Sequence, residues 1–356
     1  MTNNKLKKLA YVGLDDGHYG SKIAIHEEGK DIKYFSIPSR IAYGEVNIAN
    51  GLHGQDNNLG NIYEYEGIKY TVIDENDKSM HPDIIDFRNI EYPKSIENVI
   101  LMMHVLKKAG IDDSYQVKLV TGLPFRDFFS SKGGKNEKLI NEKIKNFERY
   151  ENVKCEDPSA TFPQILSHHV MSEGAGAYLN LVMDFAGDDL ENKISQELID
   201  NPVSFADIGG KTTDIVTFTQ GGQQMMINMS NTVEVGVLDL HDAIKNDIRE
   251  SLHLKNIVPA KIEQAILTKK YSAKGHEYDV SEIIDRNKAT FAYKLKNDIR
   301  KILKTAENIG IIVFVGGGSI LIQEELKQLY DNCLFIENAE FANAFGFLKG
   351  SLHIFE

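Results

Sequence analysis

Cysteine is scarce in this chain: Cys155 and Cys333 are the two present, far apart and with no second Cys or His at metal-ligand spacing. That argues against a disulfide scaffold and against a structural zinc site, and a reducing cytoplasm is the expected compartment. Long apolar runs are missing as well. Met1 to Lys8 is polar and basic and runs directly into a short strand-like segment, which offers neither a signal peptide nor a membrane helix. Basic residues are outnumbered too. A formal charge of −12 argues against a surface built to neutralise nucleic-acid phosphates, so any link to DNA is expected to be indirect.

What the chain does have is length and a core. Its 356 residues exceed what one hydrophobic core usually serves, so two domains are expected. An apolar fraction of 42% with 26% charged residues, 17 Phe and 15 Tyr describes a globular protein.

The organising signal is an internal repeat. Leu9 to Leu14 is apolar and ends in Asp15-Asp16-Gly17, after which Ser21 to His26 and Asp31 to Ile37 read as two further strands. The same unit returns at Val203 to Met229. There an apolar strand ends in Asp207-Ile208-Gly209-Gly210, a second strand runs from Asp214 to Thr219, and Gly221-Gly222 turns into Gln224 to Met229. Asp15 and Gly17 match Asp207 and Gly209, and Lys22 falls where Asp214 does. Self-similarity of this kind implies a duplicated β-meander domain, each copy offering a carboxylate beside a Gly turn.

Between the copies, Ala42 to Pro93 is rich in Asn, Gly, Asp and Tyr and reads as an inserted subdomain with a strand pair near Tyr63 to Ile73. A helix is expected at about Ser95 to Ala109 and a strand at Gln116 to Thr121. Lys135 to Tyr150 is charged and reads as surface. A strand near Thr161 to Ile165 should precede a helix at about His169 to Met183, whose small residues Gly174-Ala175-Gly176-Ala177 allow close packing. Later helices are expected at Asp239 to Leu252, Val280 to Asn308 and Ala339 to Phe355.

Paired Asp-x-Gly turns suit a phosphate site. Backbone N–H groups of a Gly-permitted turn point at anionic oxygens, and missing side chains allow close approach. Carboxylates at the strand ends, Asp15 and Asp207, then hold magnesium mainly through its waters. Lys22 stands as a point charge for the β-phosphate. A single turn of this type reads as a plain strand end; repetition changes that reading. Gly209-Gly210-Lys211-Thr212 is not a P-loop, because Phe205 stands where that motif needs Gly and the segment continues as a strand. The Gly209 to Thr213 amides and the Thr212 and Thr213 hydroxyls are expected to cradle the terminal phosphates. Lys211 either adds charge there or is a solvated turn residue. Gly316-Gly317-Gly318, after the apolar run Ile311 to Val315, offers bare backbone to a nucleoside. Glu173 either orients and deprotonates a water or satisfies a helix dipole. His18 is given no role beyond phosphate-side contact.

These residues carry a resemblance to the actin, sugar-kinase and heat-shock-chaperone ATPase superfamily, and within it to bacterial plasmid-segregation actins of the ParM type. The matching motifs are Gly13 to Lys22, Ser172 to Ala177, Ala206 to Asp214, Val315 to Ser319 and Ala342 to Gly346. The resemblance implies an α/β chain with an actin-like fold, two duplicated RNase H-like domains flanking a nucleotide cleft. Domain I is then expected at residues 1–168, with a returning C-terminal helix at 339–356 and the insert near 42–93. Domain II is expected at 169–338, with an insert near 236–288. Glu173 becomes the water-activating residue. Asp16, Gly17, His18, Tyr19, Lys22, Gly209, Gly210, Lys211, Thr212, Thr213, Asp214, Gly236, Gly316, Gly317, Gly318 and Ser319 become the nucleotide-binding set, with Mg2+ and ATP or GTP. His18-Tyr19 departs from the smaller polar residues usual there. The implied function is a nucleotide-driven filament that segregates plasmid DNA. Its partners would be further copies of the chain, head to tail, and a ParR-like centromere-binding adaptor, with no membrane involved. A small-molecule kinase on the same fold is the alternative.

Overall fold

A computed structural model describes residues 7–46, 58–73, 84–89, 91–130, 133–192 and 200–353. Parts of the expected insert, 47–57, 74–83 and 90, lie outside the described residues. The chain divides into two compact units: unit 1 is Met1–Asp74, Pro82–Ser195 and Phe341–Glu356, and unit 2 is Glu75–His81 and Gln196–Glu340.

Unit 1 is built on β1 (Lys8–Asp16), β2 (Gly20–His26), β3 (Lys33–Pro38), β4 (Tyr115–Leu123) and β5 (Gln164–Ser172), in the order β3-β2-β1-β4-β5. Unit 2 repeats that order with β6 (Val203–Ile208), β7 (Thr213–Phe218), β8 (Asn231–Val233), β9 (Ile311–Val315) and β10 (Cys333–Phe335), arranged β8-β7-β6-β9-β10. In each sheet the first three strands pair antiparallel and the next two add in parallel. The sequence explains the mixture. Gly-containing turns of a few residues can join only antiparallel neighbours, whereas β4 and β9 are reached through long helical crossovers.

The helices close the cores. α1 (Ile96–Lys108) starts at Ser95, whose hydroxyl accepts from the Asn98 N–H, and is buried along almost its whole length from Ile96 to Leu106. That matches its near-continuous apolar sequence. α2 (Glu137–Glu148) is amphipathic, and Ile140, Lys143 and Phe147 are buried on one face. The stretch read as surface thus carries a buried stripe, hidden in the sequence because a lysine is part of it. In unit 2, α4 (Val237–Ser251) and α5 (Ser281–Leu303) supply Leu240, Ile244, Ile248, Leu295 and Ile299 to the core that includes Ala206, Ile208 and Phe314. Residues from the expected insert at 236–288 therefore pack into the core that underlies the sheet.

Other expectations need correction. The helix expected at His169 to Met183 is strand as far as Ser172; α3 (Ala175–Val182) follows after Gly174, which adopts φ +79°. His168 and His169 are therefore strand residues opposite Leu119 and Val120. A boundary at 168/169 would cut β5 in two, and its ladder with β4 is the reason that residues through Ser195 belong to unit 1. The third strand of the second copy is not Gln224 to Met229 but Asn231–Val233, because Gly221 and Gly222 both take positive φ and a 3-10 turn at Ile227–Met229 intervenes.

The C-terminal helix α6 (Ala342–His353) docks on β1 and α3 by backbone contact. A Cβ at Gly346 would stand 1.7 Å from the Gly176 carbonyl oxygen, and one at Gly13 would stand 2.1 Å from the Ala344 oxygen. Asn343 Oδ1 accepts from the Gly174 and Ala177 N–H groups at 3.1 and 3.2 Å, capping α3 from the side.

Two outcomes follow for stability. Gly346→Ala forces backbone apart from backbone and is expected to cost about 3 kcal/mol or more in urea unfolding, at the upper end of overpacking effects. The second concerns His168, a half-buried residue whose Nδ1 is enclosed and whose Nε2 lies 2.9 Å from Thr121 Oγ1. Burial, with smaller contributions from Lys143 and His169, lowers its pKa to about 3. Below pH ~6.5 the unfolded chain takes up a proton that the folded chain refuses, so stability falls as pH drops toward 3. Between pH 7 and pH 5 the wild type should lose about 2 kcal/mol more than His168→Gln, measured by urea unfolding at each pH. Parallel pH profiles for the two proteins would refute this.

Candidate functional site

In each unit the turn after the first strand lies at the carboxyl end of the parallel strands, the edge at which open α/β sheets bind ligands. Register places the two turns in correspondence. Asp15 lies directly opposite Lys22 in the β1–β2 ladder, and Asp207 opposite Asp214 in the β6–β7 ladder. The alignment of the repeats is thus an alignment in space within each unit.

In unit 1, Lys22 Nζ donates to Asp15 Oδ2 at 3.2 Å. Burial pushes the Asp15 carboxyl up; the Lys22 ammonium offsets part of that, and neighbouring Asp16 adds to it. A carboxylate in this setting gains from a further cation. Gly17 keeps the turn tight, since a Cβ there would meet the Gly20 oxygen at 3.1 Å and Lys22 Nζ at 3.4 Å. Ser39 holds the turn from outside: its hydroxyl donates to the Gly17 oxygen at 2.6 Å and its N–H to the Tyr19 oxygen at 3.0 Å. His18 is half-buried with its ring 5.0 Å from Tyr92, while Tyr19 is exposed.

Asp16 was expected to bind nucleotide, but its carboxylate is engaged inside the unit. It accepts from Lys143 Nζ at 2.9 and 2.7 Å and from Asn98 Nδ2 at 2.6 Å. Glu173 follows β5, with its N–H donating to the Leu123 oxygen at 2.8 Å, and a Cβ on Gly122 would stand 3.2 Å from its Cγ. It therefore lies against the end of β4. It is not a first-turn helix residue, because Gly174 separates it from α3, and the helix-dipole role falls away.

In unit 2 the Gly209 N–H donates to the Thr212 oxygen at 2.9 Å, which closes the turn and commits one of the amides expected to face phosphate. The Thr213 hydroxyl donates to the Val235 oxygen at 2.8 Å, and the Asp214 carboxylate accepts from Thr232 Oγ1 at 2.6 Å and Thr212 Oγ1 at 3.3 Å. These two side chains brace the hairpin. Gly210 and half-buried Lys211 form the tip. Gly236 seats that tip on α4, as a Cβ there would stand 2.2 Å from the Gly210 oxygen. Asp239 fixes Gly236 by accepting its N–H at 3.0 Å.

The tri-Gly turn closes on the same carboxylate. Gly316 takes φ +79°, and a Cβ there would stand 2.3 Å from Asp207 Oδ1. Gly318 is packed, with a Cβ position 2.3 Å from Ile208 Cγ2, and the Ser319 hydroxyl donates back to the Gly316 oxygen at 2.7 Å. Gly317 alone of the three has open space over its Cα. The structure thus brings Asp207, the Gly209–Thr212 turn, Gly236 and Gly316–Ser319 together in unit 2, and Asp15, Gly17 and Lys22 in unit 1, with Glu173 against the end of β4.

Sequence reading missed Lys143, Asn98, Ser39, Thr232 and Asp239. Only Asp239 had a visible signal, an acidic residue three positions into a helix. Among the described residues no three His, Cys, Asp or Glu side chains converge to hold a metal, and no helix is long and apolar enough to cross a membrane. Single carboxylates such as Asp15 and Asp207 fit magnesium, a hard ion that retains several waters and takes few protein oxygens.

Two family models match the chain. Residues 10–182 fit "Plasmid segregation protein ParM, N-terminal", and residues 205–328 fit "Archaeal actin homologue MreB-like, C-terminal". An archaeal actin homologue of Thermoplasma acidophilum is 24% identical over 145 residues, 40% of this chain, and the chain spans 44% of that relative's length. Among solved structures, the subunit of a 15-stranded ParM filament from Clostridium botulinum superposes with TM-score 0.73 at 20% identity, covering 97% of this chain and 99% of that one. An archaeal actin homologue in complex with ADP gives TM-score 0.71 at 19% identity, with 96% and 99% covered. The chain thus has, over almost its whole length, the actin-like fold of ParM and the archaeal actin homologues, and its two successive parts fit family models drawn from those two groups.

Proposed function

We propose that this protein binds ATP or GTP with Mg2+ through its phosphate turns and hydrolyses it as part of a cycle of head-to-tail self-assembly. The observation that carries this reading is the register equivalence of Asp15 and Asp207, each at the end of the first strand of a sheet of identical order. A duplicated carboxylate beside a duplicated Gly turn has no structural need to recur. It has a chemical one, in gripping a phosphate chain and its metal. Related proteins support the assembly: one solved relative is a ParM filament, and others carry ADP or ATP.

In this mechanism Asp15 and Asp207 are the carboxylates that would hold Mg2+ through its waters, and the ion would supply charge neutralisation at the phosphates. Lys22 lies over the β-phosphate and stabilises the charge that gathers on the departing diphosphate. Gly210, Lys211, Thr212 and Gly17 supply the backbone approach. Glu173 accepts a proton from the water that attacks the γ-phosphorus, and the bond to the bridging oxygen breaks in line. Gly317 offers bare backbone to the nucleoside. An interface that joins different surfaces of successive copies does not close and so yields polymers. The acidic surface suits a system in which DNA is reached through a centromere-binding adaptor, and plasmid segregation in the cytoplasm is the proposed role.

Light scattering with purified protein, Mg2+ and either nucleotide is the direct test; a flat trace with both nucleotides at every protein concentration up to saturation would remove the filament reading. Glu173→Gln is expected to slow phosphate release ~100-fold or more while nucleotide binding persists, the range typical of a lost general base. Lys22→Met should lower hydrolysis by a similar ~100-fold and also weaken triphosphate binding. Unchanged phosphate release in both variants would remove these assignments.

A further inference from the structure

The most deeply buried cation at the described sites has no place in the mechanism above. Lys143 lies on α2 with a side chain only 3% exposed, matched by the 3% of Asp16. Its ammonium has three hydrogens and three acceptors: Asp16 Oδ1 at 2.9 Å, Asp16 Oδ2 at 2.7 Å and the Gly122 oxygen at 2.6 Å. An ammonium so enclosed is costly to bury and must be fully paired. Hydrophobic residues of the same size would fill the space without that cost, so the arrangement calls for a purpose other than stability.

The three acceptors indicate one. Asp16 adjoins Asp15 at the start of the first phosphate turn, and Asn98 Nδ2 holds the same carboxylate at 2.6 Å. Gly122 lies at the end of β4, beside Leu123, whose oxygen receives the Glu173 N–H at 2.8 Å. A Cβ at Gly122 would stand 3.2 Å from Glu173 Cγ. One ammonium therefore ties the end of β1, where the metal-binding carboxylate stands, to the end of β4, against which the water-activating carboxylate rests. It also cancels the Asp16 charge, which would otherwise sit unbalanced beside Asp15.

We propose that Lys143 is a positioning residue for hydrolysis, fixing Glu173 relative to the Asp15 turn through Asp16 and the Gly122 carbonyl. This rests on the nucleotide hydrolysis proposed above. Hydrolysis is sensitive to displacements of about 1 Å between a base and the reacting water, whereas phosphate binding by backbone and Lys22 tolerates them. The residue thus acts on turnover more than on affinity.

The test measures melting temperature, nucleotide dissociation constant and single-turnover hydrolysis for full-length wild type, Lys143→Met, and the double variant Lys143→Met/Asp16→Asn. In Lys143→Met, hydrolysis is expected to fall ~10- to 100-fold with a much smaller change in dissociation constant. That variant leaves Asp16 buried and unpaired and is expected to melt early. The double variant removes both charges, so its melting temperature should return toward wild type while its turnover stays at least ~10-fold low. Recovery of wild-type turnover along with stability in the double variant overturns the positioning role and leaves the proposed function standing, as does unchanged turnover in a folded Lys143→Met. A wild type that neither binds nor hydrolyses ATP or GTP overturns both.

Discussion

Within unit 1 the C-terminal helix α6 meets β1 and α3 in contacts too close for a side chain at Gly13 and Gly346. Gly13 in β1 and Gly346 in α6 leave less room than one methyl group needs, so main chain lies on main chain at that seam, while Gly176 in α3 makes room for the Phe347 ring of α6. Close approach of this kind fixes distances more tightly than side-chain packing, which can repack around a lost or gained methylene. β1 ends in Asp15 and Asp16, and α3 begins just after Glu173. Both ends of the proposed chemistry in unit 1 are therefore held by the same contact, with Asn343 adding two hydrogen bonds to the first turn of α3.

Unit 2 reaches a similar result with different means. Its turn is seated on α4 through Gly236, braced by Thr213 and Asp214 from inside the hairpin, and faced by Gly316 across the Asp207 carboxylate. Where unit 1 uses a lysine opposite its strand-end carboxylate, unit 2 uses a second aspartate that is already hydrogen-bonded to Thr232. The two copies share a scaffold but divide the labour. The first sets a lysine beside its strand-end carboxylate, and the second a backbone turn closed by its own hydrogen bonds.

Much of this was legible in the sequence, and what was not has a physical explanation. The repeat of Asp-x-Gly turns gave the first antiparallel pair of each sheet because strand, turn and strand are local, whereas the parallel strands and the sheet order depend on long crossovers. The helix α1 was visible from its apolar spacing and Ser95. The extent of β5 was not: His168, His169 and Ser172 are polar in a half-buried parallel strand, and only the ladder with β4 keeps them extended. Lys143 was hidden for the opposite reason, a charged residue among charged neighbours whose burial depends on Asp16, 127 positions away. Asp16, Thr213 and Asp214 looked like ligand-binding side chains from their motifs, yet the fold turns them inward to hold the turns in shape. Motif matching identifies positions that matter; it does not say which face of the chain they serve.

Chain order adds a consequence for folding. Unit 2 is continuous from Gln196 to Glu340 apart from a short segment, whereas unit 1 lacks its seam until Phe341 onward has been made. At ~5–20 residues per second of synthesis, unit 2 can fold while unit 1 still exposes the groove that α6 will fill. The surface beside Gly13 and Gly176 stays uncovered until that last stretch of chain has been made, so the turn after β1 is the last part of unit 1 to be backed by its helix.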